Sequence, residues 1–196
     1  SATAPAGSFT MYSYPVDLLD ADTALDSGGG SQLVTANVGA RMHAVWIEGA
    51  AVMHARSVDG GATFESAVPL SGAEVPSSVR IQVAGDNVLV LWIGDASGFG
   101  GSLHVRSSVD GGAVFAADQV LATSGAQMPD LAISGVYAHC VWVQAGPSLD
   151  QKVYVASSTN NAVSWGTAKP AYASTVNQTS PAVGCFGGDA WIALRQ

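Results

Sequence analysis

Hydrophobic and polar positions alternate along this chain in short runs, each closed by glycine, asparagine or serine. A period of two over so few residues predicts strands, and the glycines between runs predict tight turns. The runs recur in order. Leu33 to Val38, Val79 to Ala84 and Pro129 to Ser134 open three successive units, and His43 to Ile47, Val88 to Ile93 and His139 to Val143 follow them. A third set, Val52 to Arg56, Leu103 to Ser107 and Val153 to Ser157, precedes a fourth, Phe64 to Leu70, Phe115 to Leu121 and Trp165 to Ala171. Trp46, Trp92 and Trp142 each stand seven residues after Gly39, Gly85 and Gly135. One large apolar residue per unit, always on the second strand, is expected in the core between units.

Between the third and fourth strands lies a recurring phrase. Arg56-Ser57-Val58-Asp59-Gly60-Gly61-Ala62-Thr63-Phe64 returns as Ser107-Ser108-Val109-Asp110-Gly111-Gly112-Ala113-Val114-Phe115, with a third copy from Ser157 to Trp165, at spacings of 51 and 50 residues. An acceptor side chain at the start of a tight turn bonds the turn's own amides, and glycine supplies positive φ where needed. A fixed period of this size marks a repeat architecture, and four strands per repeat point to a propeller. The Ser57/Asp59/Gly61/Phe64 and Ser108/Asp110/Gly112/Phe115 sets resemble the Asp-box, or BNR repeat, of sialidases and many unrelated propeller proteins. The resemblance implies a sialidase-like β-propeller fold with each box on the outer hairpin of a blade, away from the central site. In the third copy Asn160 replaces Asp and Ala162 replaces Gly, which leaves the geometry of that turn open.

The C-terminal residues begin a fourth unit, with strands at Pro181 to Phe186 and Asp189 to Arg195. Gly7 to Ser13 and Leu19 to Leu25 resemble third and fourth strands of the other units. The expected fold is therefore all-β: one propeller domain over residues 1–196, with four four-stranded blades at about 31–72, 77–125, 128–175, and 179–196 plus 7–27. The terminal strands would close the last blade and remove free edges. Ends exchanged between chains would satisfy the same pattern, so a monomer or a small homo-oligomer is expected.

With 48% hydrophobic and 11% charged residues the chain can bury a core as one domain, and no apolar run is long enough for a membrane-spanning helix. A net charge of −8 disfavours nucleic acid and anionic membrane surfaces as partners. Asp17, Asp20, Asp22 and Asp26 gather in one stretch, read as a solvated loop in preference to a cation site; no metal and no cofactor are expected. Cys140 and Cys185 do not fix a redox compartment. The small-residue start, Ser1 to Ser8, is compatible with export to the periplasm or outside the cell.

Sialidase-like catalysis requires an arginine clamp, a tyrosine activated by a glutamate, and an acid/base aspartate. The arginines are Arg41, Arg56, Arg80, Arg106 and Arg195. Val79-Arg80-Ile81-Gln82 faintly resembles that family's Phe-Arg-Ile-Pro signature, and Tyr137 lacks a convincing partner among Glu48, Glu65 and Glu74. Arg80 and Asp130 occupy equivalent positions on innermost strands, with Val34 and Val183 at the other two, and are expected to form an ion pair near the axis. His43 and His139 are expected in the core, bonded to backbone, while His54 and His104 carry no readable role. The longest connections, Gly94 to Gly101 and Ala145 to Gln151, join second to third strands and would share one face. Glu48, Asp95, Phe99 and Asp150 are the candidate binding residues on that face, with no catalytic set assigned. The reading is a non-catalytic binding or assembly module recognising a protein or glycan; the alternative is a divergent sialidase-like glycoside hydrolase.

Overall fold

The computed structural model describes residues 10–11, 23–72, 75–97, 100–145 and 150–196. They are all-β. Two short strands, β1 (Thr10–Met11) and β2 (Thr23–Ala24), pair with each other. The first sheet has the order β3 (Ser31–Val38), β4 (Arg41–Glu48), β5 (Ala51–Ser57) and β6 (Val68–Pro69). A second sheet runs through β7 (Ser78–Ala84), β8 (Asn87–Ser97), β9 (Gly100–Ser108), β10 (Gln119–Ser134), β11 (Tyr137–Ala145), β12 (Gln151–Ser158) and β13 (Lys169–Pro170). Last come β14 (Thr179–Phe186) and β15 (Asp189–Arg195), a separate hairpin.

The seven-stranded sheet contains two repeat units. Gln119 to Ala122 pair with β9 as the outer strand of one unit, and Gln127 to Ser134 pair with β11 as the inner strand of the next. A register shift between Gln127 and Asp130, with Met128 at φ 49°, bends β10 where the units meet. Gln32 and Ser180 take the same left-handed backbone, each inside a comparable register shift at the start of β3 and β14. The irregularity recurs in the first, third and fourth units, while β7 of the second pairs with β8 in unbroken register.

Units stack through alternating faces of their strands. Val88, Val90 and Trp92 of β8 pack with Val45, Ile47 and Val52 of the first sheet. Leu89, Leu91 and Ile93 point the other way, toward Leu131, Cys140 and Trp142. Val141, Val143, Val153 and Val155 then receive Val183, Ile192 and Leu194 of the terminal hairpin. All three repeat tryptophans, Trp46, Trp92 and Trp142, are fully buried, as their position in the repeat predicts.

Two expectations about the fourth unit change. No ladder joins β15 to β1 among the described residues: β1 pairs with β2, β15 with β14, and the sheets are not closed. Leu25, just after β2, packs against the first sheet beside Leu33 and Phe64. The register also shows that Ala182, not Val183, is equivalent to Val34, Arg80 and Asp130, because Ala182 faces Ala193 as Val34 faces Val45, Arg80 faces Leu91 and Asp130 faces Val141. A one-residue slip moves a strand residue to the opposite face. Val183 is on the packed side, while Phe186 and Trp191 of the hairpin are 80% and 60% exposed.

Candidate functional site

Each repeated turn is built as its chemistry requires. Ser57 Oγ accepts from the amide of Gly61 at 2.8 Å and donates to Asp59 Oδ1 at 2.7 Å, and Asp59 accepts from the Thr63 amide at 2.9 Å and hydroxyl at 2.6 Å. Those hydrogen bonds, the Thr63 hydroxyl first, pull the Asp59 carboxyl down to about 2. Ser108 and Asp110 repeat the arrangement, with the Gly112 amide at 2.9 Å from Ser108 Oγ and the Val114 amide at 3.0 Å from Asp110 Oδ1. The third turn is not distorted. Ser158 Oγ accepts from Ala162 at 3.0 Å and Asn160 Oδ1 accepts from Ser164 at 3.1 Å. An amide oxygen accepts as a carboxylate does, and Asn161 and Ala162 adopt φ 60° and 59° without glycine. The strain of a left-handed alanine, about 1 to 2 kcal/mol, is borne by burial of Ala162 in the interunit core.

These turns are also keys between units. Arg56 of the first unit donates to the Gly111 carbonyl at 3.2 Å, and the rings of His43 and His54 stack beneath Gly112. In the next interface Asn87 donates to Asn161 Oδ1 at 3.0 Å and Gln119 to the Ala162 carbonyl at 3.0 Å. Each turn meets the turn between the first and second strands of its own unit, through Gly60 to Ala40, Gly111 to Asp86 and Asn161 to Val136. The box turns therefore occupy one end of the sheets. The hairpins between second and third strands occupy the other.

At that hairpin end stand Glu48, Asp95 and Asp150. Glu48 accepts from the backbone and hydroxyl of Ser27 and from Trp46 Nε1, and these bonds, the Ser27 hydroxyl foremost, hold its carboxyl below the usual range. Gln144 repeats this role, accepting from Trp142 Nε1 at 3.0 Å. Asp95 is exposed at φ 49° and accepts from the Val75 amide at 3.2 Å; Asp150 pairs with Lys152 at 2.7 Å. The three carboxylates mark three neighbouring hairpins and do not converge on one point with each other through any hydrogen bond. Phe99, Glu74, Tyr12, Tyr14, Asp17, Asp20 and Asp22 lie outside the described residues.

The arginines are spread, not gathered. Arg41 pairs with Asp86 at 2.6 Å, Arg56 with Glu65 at 2.7 Å, and Arg106 donates to the carbonyls of Ala116, Leu70 and Phe115. The expected Arg80–Asp130 ion pair is absent among the described residues. Arg80 is exposed and its guanidinium turns back to the Val79 carbonyl at 2.9 Å, while Asp130 accepts from the Val183 amide of the terminal hairpin at 2.9 Å. Both charges find a partner nearer than each other. His43 and His139 are buried but bond side chains, not backbone: His43 Nδ1 lies 3.1 Å from His54 Nε2, and His139 Nδ1 lies 2.8 Å from Ser157 Oγ. Burial, the positive Arg41 and then Arg56 push His43 down to about 4. Among the described residues no cluster of three or more His, Cys, Asp or Glu side chains could hold a metal ion, and Cys140 and Cys185 are free thiols.

One constellation escaped the sequence reading. His104, 5% exposed, lies flat against Trp92, its Nδ1 2.7 Å from Asp118 Oδ2 and its Nε2 2.7 Å from Ser102 Oγ. Ser102 and His104 are two residues apart on β9 and so share a face. The equivalent positions are Ala51, Met53 and Ala67 in the first unit and Lys152, Tyr154 and Ala168 in the third, fixed by the ladders that set Met53, His104 and Tyr154 opposite their tryptophans.

Fold and site together define a repeat protein of stacked β-units with a structural end and a hairpin end. The chain matches no protein-family model, and no curated protein resembles it in sequence. Among solved structures it is similar to the catalytic domain of a GH62 α-L-arabinofuranosidase from Coprinopsis cinerea, at 10% identity and a TM-score of 0.49 over 84% of this chain and 63% of that one. It is likewise similar to the NanB sialidase of Streptococcus pneumoniae, at 10% identity and a TM-score of 0.48, and to a protein of unknown function from Dyadobacter fermentans, at 14% and 0.49. It covers 79% of itself in both, but 25% of the sialidase chain and 49% of the Dyadobacter chain. The chain thus spans less than two thirds of each of these structures.

Proposed function

We propose that this chain is a non-catalytic binding module of Asp-box propeller type that recognises a glycan or protein ligand through the loops at its hairpin end. What carries the reading is the division of labour between the two ends. The box turns are consumed by internal bonds and by contacts between units, whereas three successive hairpins bring acidic side chains to one face. Carboxylates accept hydrogen bonds from sugar hydroxyls or from basic side chains, and the net charge of −8 repels acidic ligands. The hydrolase reading is weaker because Arg41, Arg56 and Arg106 each brace a different part of the interfaces between units, leaving no assembled clamp among the described residues.

A glycan array of neutral and sialylated oligosaccharides tests this. The purified chain is expected to retain neutral glycans, and Asp95→Gly, which suits the left-handed backbone there, with Asp150→Ala is expected to weaken retention at least tenfold with an unchanged melting temperature. Preference for sialylated glycans, or retention indifferent to both substitutions, would sink the proposal.

A further inference from the structure

We infer that Ser102, His104 and Asp118 form an activated-serine site on the second unit, of a kind that reacts with small carboxylic esters. This goes beyond the binding reading and does not depend on it, and it confines the non-catalytic part of that reading to the absence of glycan cleavage.

The geometry is that of a nucleophile, a base and an orienting acid, recognised by roles and not by position in the chain. Asp118, with a third of its side chain exposed, accepts from His104 Nδ1–H and so fixes the tautomer whose Nε2 carries a lone pair. That lone pair faces Ser102 Oγ at 2.7 Å. Trp92 stacks on the imidazole with 11° between the planes and a centroid distance of 5.3 Å, which holds the ring in line. The serine hydroxyl has a second acceptor, the Gly94 carbonyl at 3.1 Å. The hydroxyl has one proton and two acceptors within reach, and when it donates to Nε2 the oxygen is poised as a nucleophile.

The repeat supplies an independent argument. At these three positions the first and third units carry Ala51, Met53 and Ala67, or Lys152, Tyr154 and Ala168, and Met53 and Tyr154 serve as packing against Trp46 and Trp142. Among the three units whose third and fourth strands are described, the second alone substitutes all three together by residues that hydrogen-bond in series. A scaffold position that needs no polar group, changed in concert with two neighbours, marks chemistry grafted onto the fold. Ser102 is half-buried on the strand leaving the β8–β9 hairpin, at the rim of the binding face.

The step balances. Ser102 Oγ attacks the ester carbonyl carbon while Nε2 takes the hydroxyl proton. Collapse of the adduct expels the alcohol, which receives that proton, and leaves an acyl-serine. Water, deprotonated by Nε2, then attacks the acyl carbon and releases the carboxylic acid with Ser102 restored.

A fluorophosphonate probe tests the first half, since attack by Oγ on phosphorus displaces fluoride and traps the serine. Peptide mapping of the intact protein is expected to find the adduct on Ser102. Ser102→Ala, His104→Met and Asp118→Ala each install the residue of the first unit, so the fold should accept them, and circular dichroism verifies that it does. Labelling should vanish in the first, fall at least a hundredfold in the second and at least tenfold in the third, with p-nitrophenyl acetate hydrolysis falling in parallel. An unlabelled wild-type protein overturns the inference. So does labelling that persists in folded His104→Met, which would leave the three residues a packing network.

Discussion

Gly112→Ala is expected to be among the most damaging single substitutions in this chain, lowering stability by about 3 kcal/mol. The added Cβ would stand 2.8 Å from His43 Cε1, 3.1 Å from His43 Nδ1 and 3.4 Å from His54 Cε1, and the backbone there has φ +79°. Left-handed strain contributes about 1 to 2 kcal/mol and overpacking of a buried interface about 1 to 3. The histidines cannot withdraw, being stacked on each other with His54 edge-on to Phe115. Gly60→Ala is the matched control. It has φ +76° with open space around the new Cβ, so it should cost only the backbone share, about 1 kcal/mol. Urea unfolding of both variants separates the key between units from the turn itself. Equal costs would mean that the box turn does not lock neighbouring units.

Acid should unlock the same interface. His43 titrates at about 4 and His54 at about 3 against an ordinary value of 6.5, through burial first and then neighbouring positive charge. The unfolded chain therefore binds protons between pH 6.5 and 4 that the folded chain refuses. Stability is complete above pH 6.5 and falls as pH drops through that window, by about 3 kcal/mol from His43 alone at roughly 1.4 kcal/mol per pH unit, and His54 adds to the loss over the same range. His43→Leu with His54→Val installs the second unit's Leu89 and Val105, and should flatten the pH dependence between 6.5 and 4. A double variant as acid-labile as the parent would place the sensitive groups elsewhere.

The repeated turn was legible because its chemistry is local: serine, acidic or amide residue and glycine close on one another within eight residues. The buried tryptophans were legible for the same reason, one per period on the same strand. What the turn grips was not. Arg56 reaches Gly111 and His43 reaches Gly112 across more than fifty residues of sequence, and nothing in either segment names the other. The fourth unit went wrong by one residue because Gly187 and Gly188 both fit the turn, and only the Phe186 to Asp189 pairing decides between Ala182 and Val183. Closure is not seen among the described residues, where β1 pairs with β2 over two residues and β15 with β14, and most of the strands expected to close the last blade lie outside them. Ser102 and His104 were readable as neighbours on one strand face, but Asp118 enters from the next strand's approach. Comparing the units position by position, and asking where all three departed from Ala, Met and Ala together, was the signal available.

The claim that the box end holds the units together while the hairpin end recognises a ligand is tested most directly by amide-resolved NMR. The chain would be titrated with the neutral oligosaccharide best retained on the glycan array. Shifts are predicted at residues 48–51, 94–101 and 145–151, with the turns at 57–64, 108–115 and 158–165 unmoved. Shifts concentrated in those turns, with the hairpins silent, would contradict it.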